Sequence, residues 1–189
     1  MLLPDQRYNV IYADPPWTFR TWSKQGKDRS PEKHYGCMNL DDVKDLPVGD
    51  LAEPDCALFM WATDPLLREA FDVIVAWGFT YKTIAFVWAK LNRNAPSLMF
   101  TEQDFFTGMG YWTRANSELC LLATKGKPKR QSASVRRLVI DHRREHSRKP
   151  DSVADRIVQL MGDVPRIELF ARNAKPGWHV WGNETEKFS

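Results

Sequence analysis

Four consecutive residues near the N-terminus, Asp14-Pro15-Pro16-Trp17, combine hydrogen-bond acceptors with an aromatic ring. A carboxylate accepts hydrogen bonds, and a proline carbonyl does so without a competing N–H on the same residue. Acceptors from Asp14 and Pro15 can localise the lone pair of an exocyclic adenine amine and aim it at an electrophilic methyl group. The Trp17 ring can stack on the adenine plane. The same residues also fit a rigid turn that only ends a strand.

The segments around this motif alternate between strand-like and helix-like patterns. Tyr8–Ala13, directly before the motif, is β-branched and aromatic, and the prolines that follow cannot continue a sheet. Apolar residues at helical spacing predict a helix with Asp64 as N-cap, Pro65 at its first position and Gly78 at its end. A second amphipathic helix is predicted over Asp151–Met161. The remaining predicted elements are strands over 56–61, 83–89, 118–124, 135–140, 166–171 and 178–181, and a short helix over 39–46 capped by Asn39.

This alternation predicts an α/β sandwich around a mostly parallel sheet. The sequence has no internal repeat or linker-like tract, and we expect one domain over residues 1–189. In such sheets ligands bind outside the carboxyl ends of the strands. Asp14 lies just past the end of the first predicted strand, which is where a catalytic group would be expected.

The motif and several further segments together resemble the MT-A70 family of adenine-N6 methyltransferases. The resemblance starts at Val10, includes Ala13-Asp14-Pro15-Pro16-Trp17, and ends at Glu184, so that it covers nearly the whole chain. Further matching segments, in the order of the family, are His34-Tyr35-Gly36-Cys37-Met38, Leu58-Phe59-Met60-Trp61-Ala62-Thr63, Gly110-Tyr111-Trp112-Thr113-Arg114, Glu118-Leu119-Cys120-Leu121, Glu145-His146-Ser147-Arg148-Lys149-Pro150-Asp151, Glu168-Leu169-Phe170-Ala171-Arg172 and Trp181-Gly182-Asn183-Glu184.

The resemblance implies a Rossmann-like class I methyltransferase fold in permuted order, with the catalytic motif before the cofactor half. It also implies S-adenosylmethionine as the cofactor, bound by Asp14, Lys149, Arg172, Asn183 and Glu184. Asn183 or Glu184 can bond ribose hydroxyls, and Lys149 can pair with the methionine carboxylate. From the residues alone, the preferred interpretation of Lys149 is an exposed lysine before a helix, and that of Arg172 is a surface residue at a strand end.

The positive charge is concentrated between Lys125 and Lys149. This segment holds ten Lys/Arg against two acids, a net +8, so the rest of the chain carries −5 of the total +3. Such a segment favours a polyanionic partner, although a solvated loop also fits. The nucleic-acid-binding residues predicted here and in two other loops are His34, Tyr35, Arg114, Lys129, Arg130, Arg136 and Arg137. His34 and Tyr35 can clamp a flipped base or simply pack.

Other site classes have weaker support. Cys37, Cys56 and Cys120 have the spacing of neither a disulfide framework nor a zinc site, and Cys56 and Cys120 lie in strand-like runs that predict core positions. His142 and His146 are four residues apart, but neighbouring arginines and the lack of a third ligand argue against a metal. With no signal-peptide pattern and no membrane-length apolar run, we expect a cytoplasmic protein. The resemblance to short bacterial and phage family members implies a bacterial or phage source.

The expected substrate is DNA, with the target adenine flipped out of the duplex or single-stranded. DNA is preferred to RNA because the compact chain resembles short bacterial and phage family members. A homodimer is also left open, because members of the family often pair catalytic subunits. Two alternatives remain: an RNA methyltransferase with the same mechanism, and a catalytically silent partner subunit that binds nucleic acid. The intact Asp14, Lys149, Arg172 and Asn183 argue against the silent subunit.

Overall fold

The structure, a computed structural model, describes residues 3–17, 38–144 and 148–182. It contains one seven-stranded sheet and three α-helices. The strands are β1 (Tyr8–Ala13), β2 (Ala52–Ala62), β3 (Thr80–Leu91), β4 (Ser117–Lys125), β5 (Leu138–His142), β6 (Arg166–Leu169) and β7 (His179–Trp181). The helices are α1 (Leu40–Lys44), α2 (Leu67–Ala76) and α3 (Asp151–Met161), with 3₁₀ turns over Val48–Leu51, Asp64–Leu66 and Glu102–Asp104.

The strand order across the sheet is β5-β3-β4-β2-β1-β6-β7. β1 pairs in parallel with β2 and β6, β6 with β7, and β3 with β5, whereas β4 is antiparallel to both of its neighbours. Six strands therefore run in one direction and β4 alone runs in the other, which confirms the mostly parallel sheet. We call the edge at which β1 and β2 end and β4 begins the carboxyl edge.

Helices cover both faces of the sheet. On one face Ala70 and Val73 of α2 pack in a core that includes Ile11 of β1, and on the other face Val153 and Ile157 of α3 pack in a second core. Side chains alternate between the two faces along a strand, and both sets are buried here. This explains why the predicted strands are continuous apolar runs. Cys56 and Cys120 are fully buried free thiols, which confirms their predicted core positions.

The helix ends agree with the sequence except at the start of α2. Asn39 Oδ1 accepts the N–H of Asp42 at 2.8 Å and caps α1, and Gly78 after α2 has a φ of 79°, as the predicted end requires. Asp64 was predicted to be the N-cap of α2, and this is wrong. It begins a separate 3₁₀ turn after Thr63, so the α-helix starts only at Leu67. Short 3₁₀ turns are common where a helix begins.

Several strands differ from their predicted bounds, and for two of them the reason is visible in the backbone. β5 starts at Leu138, three residues later than the predicted start, because it pairs with β3 from Val87 onwards. β6 ends at Leu169 because Phe170 has a φ of 61°, which an extended strand cannot contain. The predicted loop over 20–36 lies outside the described residues. Within the described residues, none of the helices has the length and apolarity required to cross a bilayer.

Candidate active site

The Asp-Pro-Pro-Trp motif lies at the carboxyl edge, directly after the central strand β1. The backbone N–H of Asp14 is 3.5 Å from the carbonyl of Leu169 at the end of β6, and Trp17 donates its N–H to the Pro15 carbonyl at 2.8 Å. The second bond closes a tight turn that fixes the motif at the end of the strand. The predicted placement of Asp14 past the first strand is therefore confirmed.

Asp14 belongs to a row of alternating charges that spans three strands. Lys149 Nζ, which lies just before α3, donates to Asp14 Oδ2 at 2.7 Å and is 3.1 Å from Glu118 Oε1 at the start of β4. Glu118 Oε2 accepts from Lys90 Nζ at 2.8 Å. We call these four residues the charge network. The Lys149 side chain is only 10% exposed, so it is not the surface lysine that its sequence context also allowed.

Both inner members of the charge network are held in their charged forms. Burial disfavours the Glu118 carboxylate, but the ammonium groups of Lys149 and Lys90 outweigh burial and lower its pKa from 4.5 to about 2. Burial likewise disfavours charged Lys149, but the carboxylates of Asp14 and Glu118 raise its pKa above the ordinary value. Lys149 therefore presents a permanent positive charge beside Asp14 at neutral pH.

Aromatic side chains pack against the charge network. The Trp61 indole donates to Tyr12 Oη at 2.6 Å, and Lys149 Nζ lies 5.5 Å from the centre of a Trp61 ring. Trp17 donates its indole N–H to the Trp61 carbonyl at 2.9 Å and is only 6% exposed. Trp17 is thus packed in the core here, and its predicted stacking on adenine stays a prediction.

The two prolines of the motif differ in accessibility. Pro15 is buried and Pro16 is half-buried. The Pro15 carbonyl already accepts the Trp17 N–H, but a carbonyl oxygen has two lone pairs and can accept a second bond. The predicted role of Pro15 as an acceptor for the substrate amine is compatible with this geometry and stays a prediction.

A small, open cleft lies beside Asp14. Its lining combines cations with carboxylates and includes Asp14, Arg148, Lys149, Glu168, Phe170, Arg172 and Lys175. S-adenosylmethionine carries a carboxylate, an amine and ribose hydroxyls, so this lining offers a partner for each polar group. Asp14, Lys149 and Arg172, which were predicted to bind the cofactor, are brought together here. Asn183 and Glu184 lie outside the described residues.

The cleft residues that the sequence analysis did not single out include the ion pair of Glu168 and Lys175. Lys175 Nζ donates to Glu168 Oε2 at 2.8 Å and lies 5.4 Å from the centre of the Tyr12 ring. Burial raises the pKa of Glu168, although Lys175 acts in the opposite direction. The available signal was a glutamate placed between the apolar Ile167 and Leu169 of a strand, a position that is costly unless the charge is paired.

The backbone after β6 is held close to the end of β7. Ala171 donates its N–H to the Trp181 carbonyl at 3.0 Å, and a Cβ on Gly182 would lie 2.6 Å from the Ala171 carbonyl oxygen and 2.8 Å from its nitrogen. Only glycine fits this approach. The contact fixes the segment between Phe170 and Arg172, which lines the cleft.

We expect Gly182→Ala to lower the free energy of unfolding by about 1–3 kcal/mol, because the new methyl group must push backbone atoms apart. It should also weaken cofactor binding, since the displaced backbone carries Phe170 and Arg172. Urea unfolding and calorimetry with S-adenosylmethionine measure the two effects, with the exposed change Ala174→Ser as control. Unchanged stability and affinity in Gly182→Ala would show that this approach is not required.

The predicted nucleic-acid-binding residues do not form one surface. Gln131 donates its N–H to the carbonyl of Leu160 near the end of α3, so the adjacent Lys129 and Arg130 lie one helix length, about 16 Å, from the carboxyl edge. The exposed Arg136 and Arg137 lie beside the lateral strand β5, where Arg137 donates to Thr83 Oγ1 at 3.2 Å.

Arg114 is exposed and lies three residues before β4, on the loop that enters that strand at the carboxyl edge. His34 and Tyr35 lie outside the described residues. Of the predicted binding residues that the structure describes, Arg114 is therefore on the loop rooted closest to Asp14. Nucleic-acid contact by each of these residues stays a prediction.

His142, one half of the weak metal pattern, donates from Nε2 to the Ala95 carbonyl at 2.7 Å. His146 lies outside the described residues. In the described part of the chain, no three His, Cys, Asp or Glu side chains are grouped closely enough to hold a metal ion.

Comparison with known proteins identifies the family of this site. The family model described as MT-A70 matches residues 8–184, which include β1, the motif, all four members of the charge network and the cleft. The chain belongs to the MT-A70 family. It is therefore a methyltransferase, and its sheet with helices on both faces agrees with the Rossmann-like fold expected for an MT-A70 methyltransferase.

The MT-A70 relatives include proteins of different lengths. The chain is 35% identical over 201 residues to the type II methyltransferase M.MunI from Mycoplasma sp, covering 96% of this chain and 79% of the relative. It is 30% identical to an N(6)-adenosine-methyltransferase MT-A70-like protein from Arabidopsis thaliana, covering 94% of this chain and 24% of the relative. It is 24% identical to the N6-methyladenosine RNA methyltransferase MTA1 from Cryphonectria parasitica, covering 96% of this chain and 52% of the relative.

Proposed function

We propose that this chain transfers a methyl group from S-adenosylmethionine to the N6 atom of adenine in DNA. The observation that carries the proposal is Asp14, placed at the carboxyl end of the central strand, bonded to the buried Lys149 and lining the mixed-charge cleft. Membership of the MT-A70 family, whose relatives include N(6)-adenosine methyltransferases, supports adenine N6 as the acceptor.

The residues of the motif prepare the substrate amine. Asp14 accepts one N–H of the amine, and the Pro15 carbonyl accepts the other through its second lone pair. These two bonds localise the nitrogen lone pair and orient it toward the cleft, where the bound cofactor supplies an electrophilic methyl group. The amine becomes acidic only as its new bond forms, so Asp14 does not have to be a strong base.

Lys149 positions Asp14 for this task. Its ammonium is bonded to both Asp14 and Glu118, which fixes the orientation of the Asp14 carboxylate. An ammonium has three donors, so Lys149 retains one for the methionine carboxylate of the cofactor. Arg172 in the cleft wall adds a second cation for the same bound molecule.

DNA is preferred over RNA because this chain covers most of the length of the type II methyltransferase M.MunI. The chain covers 79% of that relative, whereas it covers about half or less of the relatives named as adenosine or RNA methyltransferases. An adenine in a duplex must leave the stack to reach Asp14, so the substrate adenine is flipped out or single-stranded.

The decisive test measures transfer of labelled methyl groups to matched DNA and RNA oligonucleotides, each single- and double-stranded. The products are digested to nucleosides to locate the label. We expect N6-methyldeoxyadenosine from DNA. Label in RNA alone would retain the chemistry and overturn the choice of substrate. Binding of nucleic acid with no transfer and no cofactor binding by calorimetry would instead identify a silent partner subunit.

The two arginines beside β5 provide a further prediction. We expect the double variant Arg136→Ala/Arg137→Ala to weaken DNA binding and to reduce the slope of log affinity against log salt by about 2, because each phosphate contact contributes about 0.9. Lys129→Ala/Arg130→Ala removes the same charge beside the end of α3 and serves as comparison. Fluorescence anisotropy across a salt series measures both. An unchanged slope in Arg136→Ala/Arg137→Ala would exclude phosphate contacts there.

A further inference from the structure

The loop between β3 and β4, residues 92–116, exposes two adjacent aromatic rings. Tyr111 is 87% exposed and Trp112 is 93% exposed, and their ring centres are 6.3 Å apart at nearly right angles. Large aromatic side chains are normally buried or covered by a partner. Neither ring belongs to the charge network or the cleft.

The loop that carries these rings is closed by its own backbone. Gly108 donates its N–H to the Ala115 carbonyl at 2.9 Å, and Thr113 donates to the Tyr111 carbonyl at 3.0 Å. A Cβ on Gly110 would lie 2.0 Å from the Thr113 carbonyl oxygen, so the turn requires glycine at that position. The exposed rings are therefore presented by a defined turn.

The backbone of Trp112 is itself unusual. Its φ is 70°, in the left-handed region that bulky residues rarely adopt. Such conformations persist where the surrounding structure imposes them, and they are concentrated at functional sites. A strained tryptophan that contributes nothing to the core indicates that its ring serves something outside the described fold.

The position of the loop connects it to the active site. It leaves β3 after Leu91 and enters β4 at Ser117, both at the carboxyl edge. Glu118 of the charge network is only six residues beyond Trp112, so their Cα atoms are at most about 20 Å apart. Asp14 lies at the same edge, so the loop is placed on the side of the sheet from which a duplex would approach Asp14.

The charge around the rings identifies the class of partner. Arg93, Arg114 and Arg143 are all exposed at this edge, and the Arg143 guanidinium lies 3.9 Å from the centre of the Phe106 ring on the same loop. Asp104, an acid of this loop, is occupied in bonding the Thr101 N–H and hydroxyl. Aromatic rings interleaved with arginines are the combination that binds nucleic-acid bases and phosphates.

We propose that Trp112 inserts into the DNA stack beside the target adenine, with Tyr111 stacking against an adjacent base or sugar. This inference rests on the proposed function. When an adenine leaves the helix, its neighbours lose a stacking partner, and an inserted ring restores part of that contact. The tip of the loop thus stabilises the flipped state, while Asp14 acts on the extruded base.

The test compares Trp112→Ala, Trp112→Phe and Tyr111→Ala with Leu98→Ala, an exposed apolar change on the same loop. Binding is measured by anisotropy over a salt series on a duplex with 2-aminopurine at the target position, whose fluorescence rises when it leaves the stack. We expect Trp112→Ala to weaken DNA binding about 5- to 150-fold, the range for one lost base–aromatic stack, and to reduce the fluorescence rise. Trp112→Phe and Leu98→Ala should retain most of the binding.

The salt series separates stacking from charge. Removal of a neutral ring should leave the salt slope unchanged, whereas Arg114→Ala should reduce it if that guanidinium contacts a phosphate. DNA binding and fluorescence equal to wild type in the double variant Trp112→Ala/Tyr111→Ala would overturn the proposal. So would a loss of self-association with unchanged DNA affinity, because it would assign the rings to a second copy of the chain. Methyl transfer by the wild type, measured in parallel, shows separately whether the proposed function holds.

Discussion

Asp14→Ala should lower the rate of methyl transfer about 10²- to 10³-fold at saturating cofactor and nucleic acid. The change removes the acceptor that orients the substrate amine, and single preorganised polar groups at reacting atoms commonly contribute that much. It also leaves Lys149 with Glu118 as its remaining partner in the charge network, so the ammonium shifts away from the motif. The rate should fall more than the affinity for DNA, because Asp14 contacts one amine and no phosphate.

Asp14→Asn separates the contribution of the shape of the side chain from that of its charge. The amide retains the shape and one acceptor oxygen, but it lacks the charge that holds Lys149. We expect transfer between that of the alanine variant and that of wild type. The matched control is Asp163→Ala, which removes a 91% exposed carboxylate near the opposite end of the sheet. Single-turnover transfer of labelled methyl groups measures the rates, and circular dichroism checks folding. Transfer by folded Asp14→Ala within threefold of wild type would remove Asp14 from the mechanism.

Glu118→Gln should destabilise the protein by about 3 kcal/mol at pH 7 and by progressively less as the pH falls. In the folded state Lys149 and Lys90 lower the pKa of Glu118 from 4.5 to about 2 despite its burial. A carboxyl whose folded pKa is depressed contributes stability above its unfolded pKa and loses it as the pH falls through the folded pKa. A difference of about 2.5 between the pKa of the unfolded and folded states corresponds to about 3 kcal/mol of stability. The gap between wild type and variant should therefore close between about pH 5 and pH 2.

Urea unfolding at steps from pH 7 to pH 2.5 measures this gap. Glu102→Gln, a change at an exposed glutamate, controls for the general effect of removing one carboxylate. A difference between Glu118→Gln and wild type that stays constant over the whole range would mean that packing, and not ionisation, causes it. The same variant should also lose methyl transfer, because Lys149 is then held by Asp14 alone and moves with it.

The sequence predicts most of the sheet because its signals there are local. The run before Asp14 is apolar and β-branched and is ended by two prolines, so both the strand and the position of the Asp14 carboxylate follow from adjacent residues. The bounds of α3 follow equally well from one apolar stripe. The prediction that Asp64 caps α2 is wrong because 3₁₀ turns and α-helices favour the same residue types in their first turn. Only the backbone conformation distinguishes the two.

The charge network could not be predicted because it depends on strand direction. Glu118 reaches Lys149 only because β4 begins at the carboxyl edge, and the composition of a strand does not state its direction. Lys149 itself was predicted through the family resemblance, whereas its local context favours an exposed lysine. The basic residues between Lys125 and Lys149 are close in sequence but do not share one surface. Arg130 lies near the end of α3, whereas Arg144 pairs with Asp151 at its start.

The reversal of β4 also shapes how such a protein can diversify. A parallel strand would have to return to the far edge before entering the sheet, so its connection would cross a packed face. Because β4 runs backwards, the 92–116 loop leaves and rejoins the sheet at the same edge, next to the active site. Insertions, deletions or exchanges within it need not alter any crossover or helix. The loop can therefore vary in length and sequence while the strands that position Asp14 and the charge network stay unchanged.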